Sequence, residues 1–231
     1  LSATKGLNEA DDKRMSELMY EVLPEYKKQI AVLSGPNISR EIADQKPATT
    51  VISSENQETA EKIQNLFNND YFRVYTNNDV IGTELGGTLK NIIAIVAGLI
   101  DGLGLGDNAK SAIMVRGIVE MSRLAVRLGA REETLFGLSG MGDLITTCSS
   151  SLSRNHYVGE QLAQGKAIEE ILGGMTAVAE GVKTAKAAYE LAQKVGVEMP
   201  VTEQLFGILY QNKNINDAIK DLMNRDLKAE V

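Results

Sequence analysis

Proline is absent from the 152 residues between Pro47 and Pro200, and no other feature narrows the fold of this chain as much. A proline in a helix interior removes a backbone hydrogen bond and clashes with the preceding turn. The long window without one is therefore free to be helical. Glycine sharpens the division, because 17 of the 21 glycines fall between Gly82 and Gly181. The two distributions split the chain near residue 80.

Before that point strands and helices alternate. Residues Glu9 to Leu23 place Met15, Leu18, Met19 and Val22 at helical spacing, and Pro24 ends the pattern. Ile30 to Leu33, Thr49 to Ser53 and Tyr71 to Tyr75 read as short strands, with a helix from Glu55 to Phe67 between the last two. This is the cadence of an open α/β sheet. After residue 80 the helical period takes over. Leu85 to Ile100 is almost wholly apolar and predicts a buried helix. Asp107 is expected to cap a long helix reaching Leu128, and further helices are expected near 154–164, 167–172, 179–195, 201–211 and 215–224.

Composition excludes several classes. Of 231 residues, 43% are hydrophobic and 24% charged, which rules out global disorder. A net charge of −7 argues against a nucleic-acid partner while permitting a local phosphate site. Cys148 has no internal disulfide partner, and with His156 as the sole histidine no Cys/His zinc cluster can form; no metal is expected, and a reducing cytoplasm is. The longest apolar run, Ile92 to Ile100, is short of the roughly 20 residues a membrane span needs, so no membrane partner or signal peptide is expected.

Three motifs are candidates for chemistry. Lys90, in Gly86-Gly87-Thr88-Leu89-Lys90-Asn91, places a cation in an apolar helix. It either snorkels to water or pairs with Glu84, or it is a desolvated lysine able to work as a general acid or base. The Gly137–Cys148 stretch, with Ser139, Gly140, Gly142, Asp143, Thr146 and Thr147, is either a glycine-rich turn or a carboxylate with hydroxyls beside a polar ligand. Ser153-Arg154-Asn155 opens a helix and is either an ordinary capped surface helix or an anion clamp. Gly104-Leu-Gly106-Asp-Asn-Ala109 satisfies the letters of a dinucleotide fingerprint but follows a helix instead of a strand, so a plain loop is expected there. Cys148 has no nucleophile pattern, and His156 is expected on a helix surface.

Read in order, Ala3-Thr4-Lys5-Gly6, Ser34-Gly35-Pro36, Gly86-Gly87-x-x-Lys90-Asn91, Asp101-Gly102, Gly140-x-Gly142-Asp143-Leu144, Thr147-Cys148, Ser153-Arg154-Asn155 and Val178-Ala-Glu180-Gly181 closely resemble the NAD(P)-dependent glycerol-3-phosphate dehydrogenases of the soluble bacterial type. The resemblance spans essentially the whole chain. It implies an α+β protein: a partial Rossmann-type α/β segment over residues 1–80, the remainder of a nucleotide-binding domain, followed over 81–231 by an all-α substrate and dimerisation domain like the carboxy-terminal domain of 6-phosphogluconate dehydrogenases. It also implies interconversion of sn-glycerol 3-phosphate and dihydroxyacetone phosphate with NAD or NADP, by a cytoplasmic homodimer.

The same resemblance assigns roles. Lys90 is the proton acceptor, Lys5 bridges the cofactor and substrate sites, and Asp143 holds Lys90 and the substrate. Substrate contacts fall on Lys5, Gly35, Asn37, Lys90, Asp143, Thr147, Ser153, Arg154 and Asn155; cofactor contacts fall on Lys5, Ser39, Arg154, Val178 and Glu180. Asn37 departs from the Ser or Thr of many relatives. The strand–glycine turn–helix unit that seats a pyrophosphate in this family is not within the sequence. The chain is therefore expected to be a carboxy-terminal fragment, silent by itself. Alternatives from other classes are a non-catalytic helical assembly module with residual phosphate binding, or another β-hydroxyacid-type dehydrogenase.

Overall fold

The structure is a computed structural model that describes residues 1–8, 10–175, 179–227 and 229. Its first part is a three-stranded sheet of β1 (Val32–Ser34), β2 (Ala48–Ser53) and β3 (Phe72–Asn77), in that spatial order. Helix α1 (Met15–Val22) and a 3₁₀ turn at Pro24–Gln29 lead into β1. The five-residue α2 (Ser39–Ala43) joins β1 to β2, which run antiparallel. The longer crossover through α3 (Gln57–Phe67) lets β3 return parallel to β2, as a crossover helix must. Ile52, Ala60, Phe72 and Val74 form a small core between sheet and helix.

Among the described residues the second part is helical, with no strand. In chain order it comprises α4 (Val80–Gly102), α5 (Asp107–Arg127), α6 (Glu132–Leu135), α7 (Asp143–Ser149), α8 (Arg154–Ala163), α9 (Ile168–Gly173), α10 (Glu180–Val195), α11 (Pro200–Tyr210) and α12 (Ile215–Met223). The α+β class read from the sequence is the one observed. Helix α4 is the axle: α5, α7, α8 and α10 pack around it, and Leu85, Leu89, Ile92 and Ile93 meet Leu124, Leu144, Val158 and Leu205 in the main core. By length and composition α4 could cross a membrane, but its apolar window is 94% buried by its neighbours. Its start is fixed by Asp79, whose carboxylate accepts from Gly82 N (2.9 Å) and from Arg131 N (2.9 Å), tying the start of α6 to the start of α4.

Several sequence expectations shift. Helix α1 begins at Met15 instead of Glu9, because Asp12 takes a positive φ of 57° and Leu7 pairs with Arg14 as an isolated bridge. Asp107 is the first helical residue of α5, not its cap; Gly106 occupies the cap position at φ 84°, which favours glycine. The Gly104–Ala109 run joins two helices, as expected for a loop. His156 is buried instead of lying on a helix surface. Its Nε2 lies 2.7 Å from Asp101 Oδ2, a carboxylate that Lys110 also holds, so this polar knot packs between α4, α5 and α8.

Candidate active site

Lys90 projects from the middle of α4, and a helical side chain lies over the turn preceding its own Cα. That turn is Gly86-Gly87, and the missing side chains are needed there. A Cβ on Gly86 would stand 2.8 Å from the Ser139 carbonyl oxygen, and one on Gly87 would stand 2.3 Å from Ser34 Oγ. The close approach that these glycines permit is thus made by the chain's own segments.

The segment brought against Gly86 is the Gly137–Gly142 stretch. It forms neither a loose loop nor an ordinary helical turn. Leu138–Gly142 widens into a π turn, closed by Gly142 N donating to Gly137 O (3.0 Å), and delivers Asp143 as the first residue of α7. Such wide turns are frequent at functional sites. Asp143 is almost wholly buried and divides its two oxygens between two lysines: Lys90 Nζ donates to Oδ1 at 2.7 Å and Lys5 Nζ donates to Oδ2. Lys90 Nζ also donates to Thr147 Oγ1 (2.5 Å), one turn along α7, whose hydroxyl donates to the Asp143 carbonyl (2.7 Å). Glu84, the alternative partner considered for Lys90, pairs with Arg14 instead. Lys5 makes a second bond, to Gly35 O at 3.2 Å.

An ammonium carries three donors. Among the described residues, two of those on Lys90 are engaged and two of those on Lys5. Burial lowers the Lys90 pKa below the ordinary lysine value; the Asp143 charge opposes that shift, and the Lys5 charge adds to it. The neutral amine is therefore more accessible than in a surface lysine. Cys148, on α7, has its thiol pushed up to about 12 by burial, which removes it as a nucleophile.

Other candidates divide into those facing this centre and those engaged elsewhere. Arg154 opens α8, is exposed, and makes no ion pair among the described residues. Glu180 opens α10 half-buried; burial raises its pKa, while Arg154, Lys5 and Lys90 pull the other way, which places three cations within its electrostatic reach. Ser153 is the cap of α8, accepting from His156 N at 3.2 Å. Asn155 is buried: its Nδ2 donates to Asn91 Oδ1 (2.9 Å), and its Oδ1 accepts from Gly181 N (2.9 Å). Asn37 is tied to β2, donating to Thr49 O (2.9 Å) and accepting from Thr50 Oγ1 (2.8 Å). Ser39 is exposed at the first residue of α2. Val178 lies outside the described residues.

Two relations escaped the sequence. The amide link of Asn91 to Asn155 joins positions 64 apart, and the Glu84 cluster joins positions 68 to 70 apart. The one available signal was a polar residue in the otherwise apolar α4. A cavity of about 650 Å³ between α4, α5, α11 and α12 is lined by apolar side chains such as Val96, Leu99, Ile113 and Leu205, and none of the site residues lines it.

Comparison with known proteins places this geometry. Residues 1–60 match the family described as NAD-dependent glycerol-3-phosphate dehydrogenase N-terminus, and residues 79–220 match its C-terminus. The chain is 51% identical over 231 residues to a glycerol-3-phosphate dehydrogenase (NAD(P)+) of Chlorobium phaeobacteroides, covering 100% of this chain and 69% of the relative. It is 50% identical over 232 residues to the enzyme of that name from Syntrophotalea carbinolica, covering 100% and 70%. Among solved structures, the glycerol-3-phosphate dehydrogenase of Coxiella burnetii superposes with a TM-score of 0.87 at 38% identity, covering 96% of this chain and 68% of that one. The class defined by fold and relatives is that of the NAD-dependent dehydrogenases, a small mixed α/β segment followed by a helical part. Within it, the chain belongs to the NAD-dependent glycerol-3-phosphate dehydrogenase family.

Proposed function

We propose that this chain carries the proton-transfer site of an enzyme that interconverts sn-glycerol 3-phosphate and dihydroxyacetone phosphate with NAD or NADP, with Lys90 as the proton-transfer group. The observation that carries the reading is the buried Lys90–Asp143 pair, with a lysine donor not engaged among the described residues. In oxidation the neutral Lys90 amine takes the proton of the substrate hydroxyl; in reduction its ammonium returns a proton to the ketone oxygen. Asp143 accepts from both lysines and fixes their directions, while Thr147 steadies Lys90 from the other side. Lys5 supplies a second positive charge where the carbonyl oxygen gains electron density during reduction. Arg154, at the amino-terminal end of α8, suits a phosphate, since both the guanidinium and the helix end attract anions.

The residues present suit the nicotinamide cofactor at this face. Arg154, the partly exposed Lys5 and the half-buried Glu180, which act on one another electrostatically, would hold the nicotinamide end, and the resemblance adds Ser39 and Val178 to the same set. When bound, the nicotinamide ring supplies or takes the hydride at the substrate carbon. Residues 1–80 belong to the nucleotide-binding half in this reading, and 81–231 form the substrate half. The exposed Val126 on α5 and Phe136, which line one surface groove, support a homodimer, and the lone free cysteine supports a cytoplasmic setting.

Following NADH oxidation by the holoenzyme with dihydroxyacetone phosphate, and identifying the product as sn-glycerol 3-phosphate, tests the reading. Absence of oxidation dependent on that substrate would overturn it.

A further inference from the structure

Lys5 lies in a segment anchored on both sides. Upstream, Ser2 joins β1: Ser2 N donates to Ala31 O (2.9 Å), and Leu33 N donates to Ser2 O (2.8 Å). Downstream, Leu7 bridges to Arg14, and Asn8 N donates to Lys13 O (2.9 Å) across the same turn. The far side of that turn is gripped by Glu84, in the first turns of α4. Glu84 Oε1 accepts from Ser16 N (2.8 Å), and its Oε2 accepts from Arg14 Nη1 (2.9 Å) and from the Ser16 hydroxyl. Glu84 and Ser16 are both buried.

A buried ion pair recovers little net stability over apolar packing, because desolvation offsets most of the attraction. What it does impose is direction, since three donors converge on one carboxylate. Helix α4 also carries Lys90, six positions further on. The same rigid rod therefore fixes both partners that must share Asp143: Lys90 directly, and Lys5 through the Arg14–Leu7 bridge. Two ammonium groups on one carboxylate repel each other, so an unanchored Lys5 would withdraw toward water.

We propose that Glu84 is a positioning residue for Lys5, clamping Arg14 and Ser16 so that the Lys5 segment stays registered against the helix that carries Lys90. The proposal rests on the dehydrogenase reading for its kinetic consequence, though not for the clamp itself.

A double-mutant cycle on the holoenzyme tests it. Glu84→Gln keeps the side-chain volume but loses one acceptor oxygen. It should lower kcat/KM for dihydroxyacetone phosphate about tenfold when Lys5 is present, and change it less than about twofold in the Lys5→Met background. An equal loss in both backgrounds would mean a general structural role, and no loss in either would mean no role; both outcomes overturn the proposal. Should Glu84→Gln fail to fold, Ser16→Ala, which removes one of the same bonds from the other side, takes its place in the cycle. Backbone amide exchange gives a readout independent of turnover. Exchange at Asn8, whose amide donates to Lys13 O across the clamped turn, should accelerate in Glu84→Gln while the β1 amides stay unchanged, and unaltered exchange there overturns the clamp even if the enzyme proves to have another substrate.

Discussion

Lys90 Nζ stands 2.7 Å from Asp143 Oδ1, a contact across 53 positions of sequence that places a buried cation beside a buried anion. Removing the Asp143 charge leaves the buried Lys90 uncompensated, whereas Asp143 keeps Lys5 as a partner when Lys90 is removed. Asp143→Asn takes away the attraction that holds the Lys90 pKa up against burial. The pKa then falls further, so the acidic limb of the glycerol 3-phosphate oxidation profile should move to lower pH. The maximal rate should drop about tenfold or more, because Lys5 and Lys90 both lose their guide. A pH–kcat profile of the variant checks the direction; a limb that moved to higher pH would contradict the pairing.

Arg154→Lys keeps the charge at the start of α8 but not the planar fork that matches a phosphate. The expected outcome is a raised KM and a reduced preference for dihydroxyacetone phosphate over free dihydroxyacetone. Comparing kcat/KM for the two substrates in both proteins decides it. An unchanged preference would move the phosphate clamp elsewhere.

Gly86→Ala places a methyl 2.8 Å from the Ser139 carbonyl oxygen, a backbone atom that cannot rotate aside. The π turn must back away from α4 and carry Asp143 with it. A loss of about 1–3 kcal/mol of stability is expected from such overpacking. Activity should fall beyond what the unfolded fraction explains. Chemical denaturation together with kinetics on the folded fraction separates the two effects.

Glu120 joins α5 to the start of α11, accepting from Val201 N (2.6 Å) and from Thr202 N and Oγ1 (both 3.2 Å). Burial nevertheless pushes its pKa up to about 7 from 4.5. A raised carboxyl pKa means that between these two values the folded state binds more protons than the unfolded one. Stability should therefore fall as pH rises through that window and level off above it, by about 3 kcal/mol at most. Urea midpoints across the window should show this slope in the unmodified protein and a flatter one in Glu120→Gln. Parallel slopes would exclude Glu120 as the source.

Much of this was legible in sequence, for physical reasons that also explain what was not. Long helices such as α4, α8 and α10 announce themselves by periodicity, and β2 by its β-branched run, because each buries a face set by its own residues. The site residues Lys90, Asp143 and Arg154 stood out as polar groups in apolar or helix-starting positions. The four-residue α6 and five-residue α2 had no such signal, being too short to hold themselves and fixed by neighbours instead. The start of α1, set by the Asp12 turn and the Leu7–Arg14 bridge and held by Glu84, and the burial of His156 were missed for a related reason. Each depends on a partner far along the chain, Glu84 for the first and Asp101 for the second, and periodicity is blind to such pairs.

The central claim is that Lys90 moves the proton. Lys90→Met keeps the aliphatic stem in its buried slot and removes only the amine. Steady-state kinetics on the folded holoenzyme, with a thermal melt alongside, should show kcat lowered by at least about 100-fold and the melting temperature little changed. Near-normal turnover in a folded Lys90→Met protein would contradict the account.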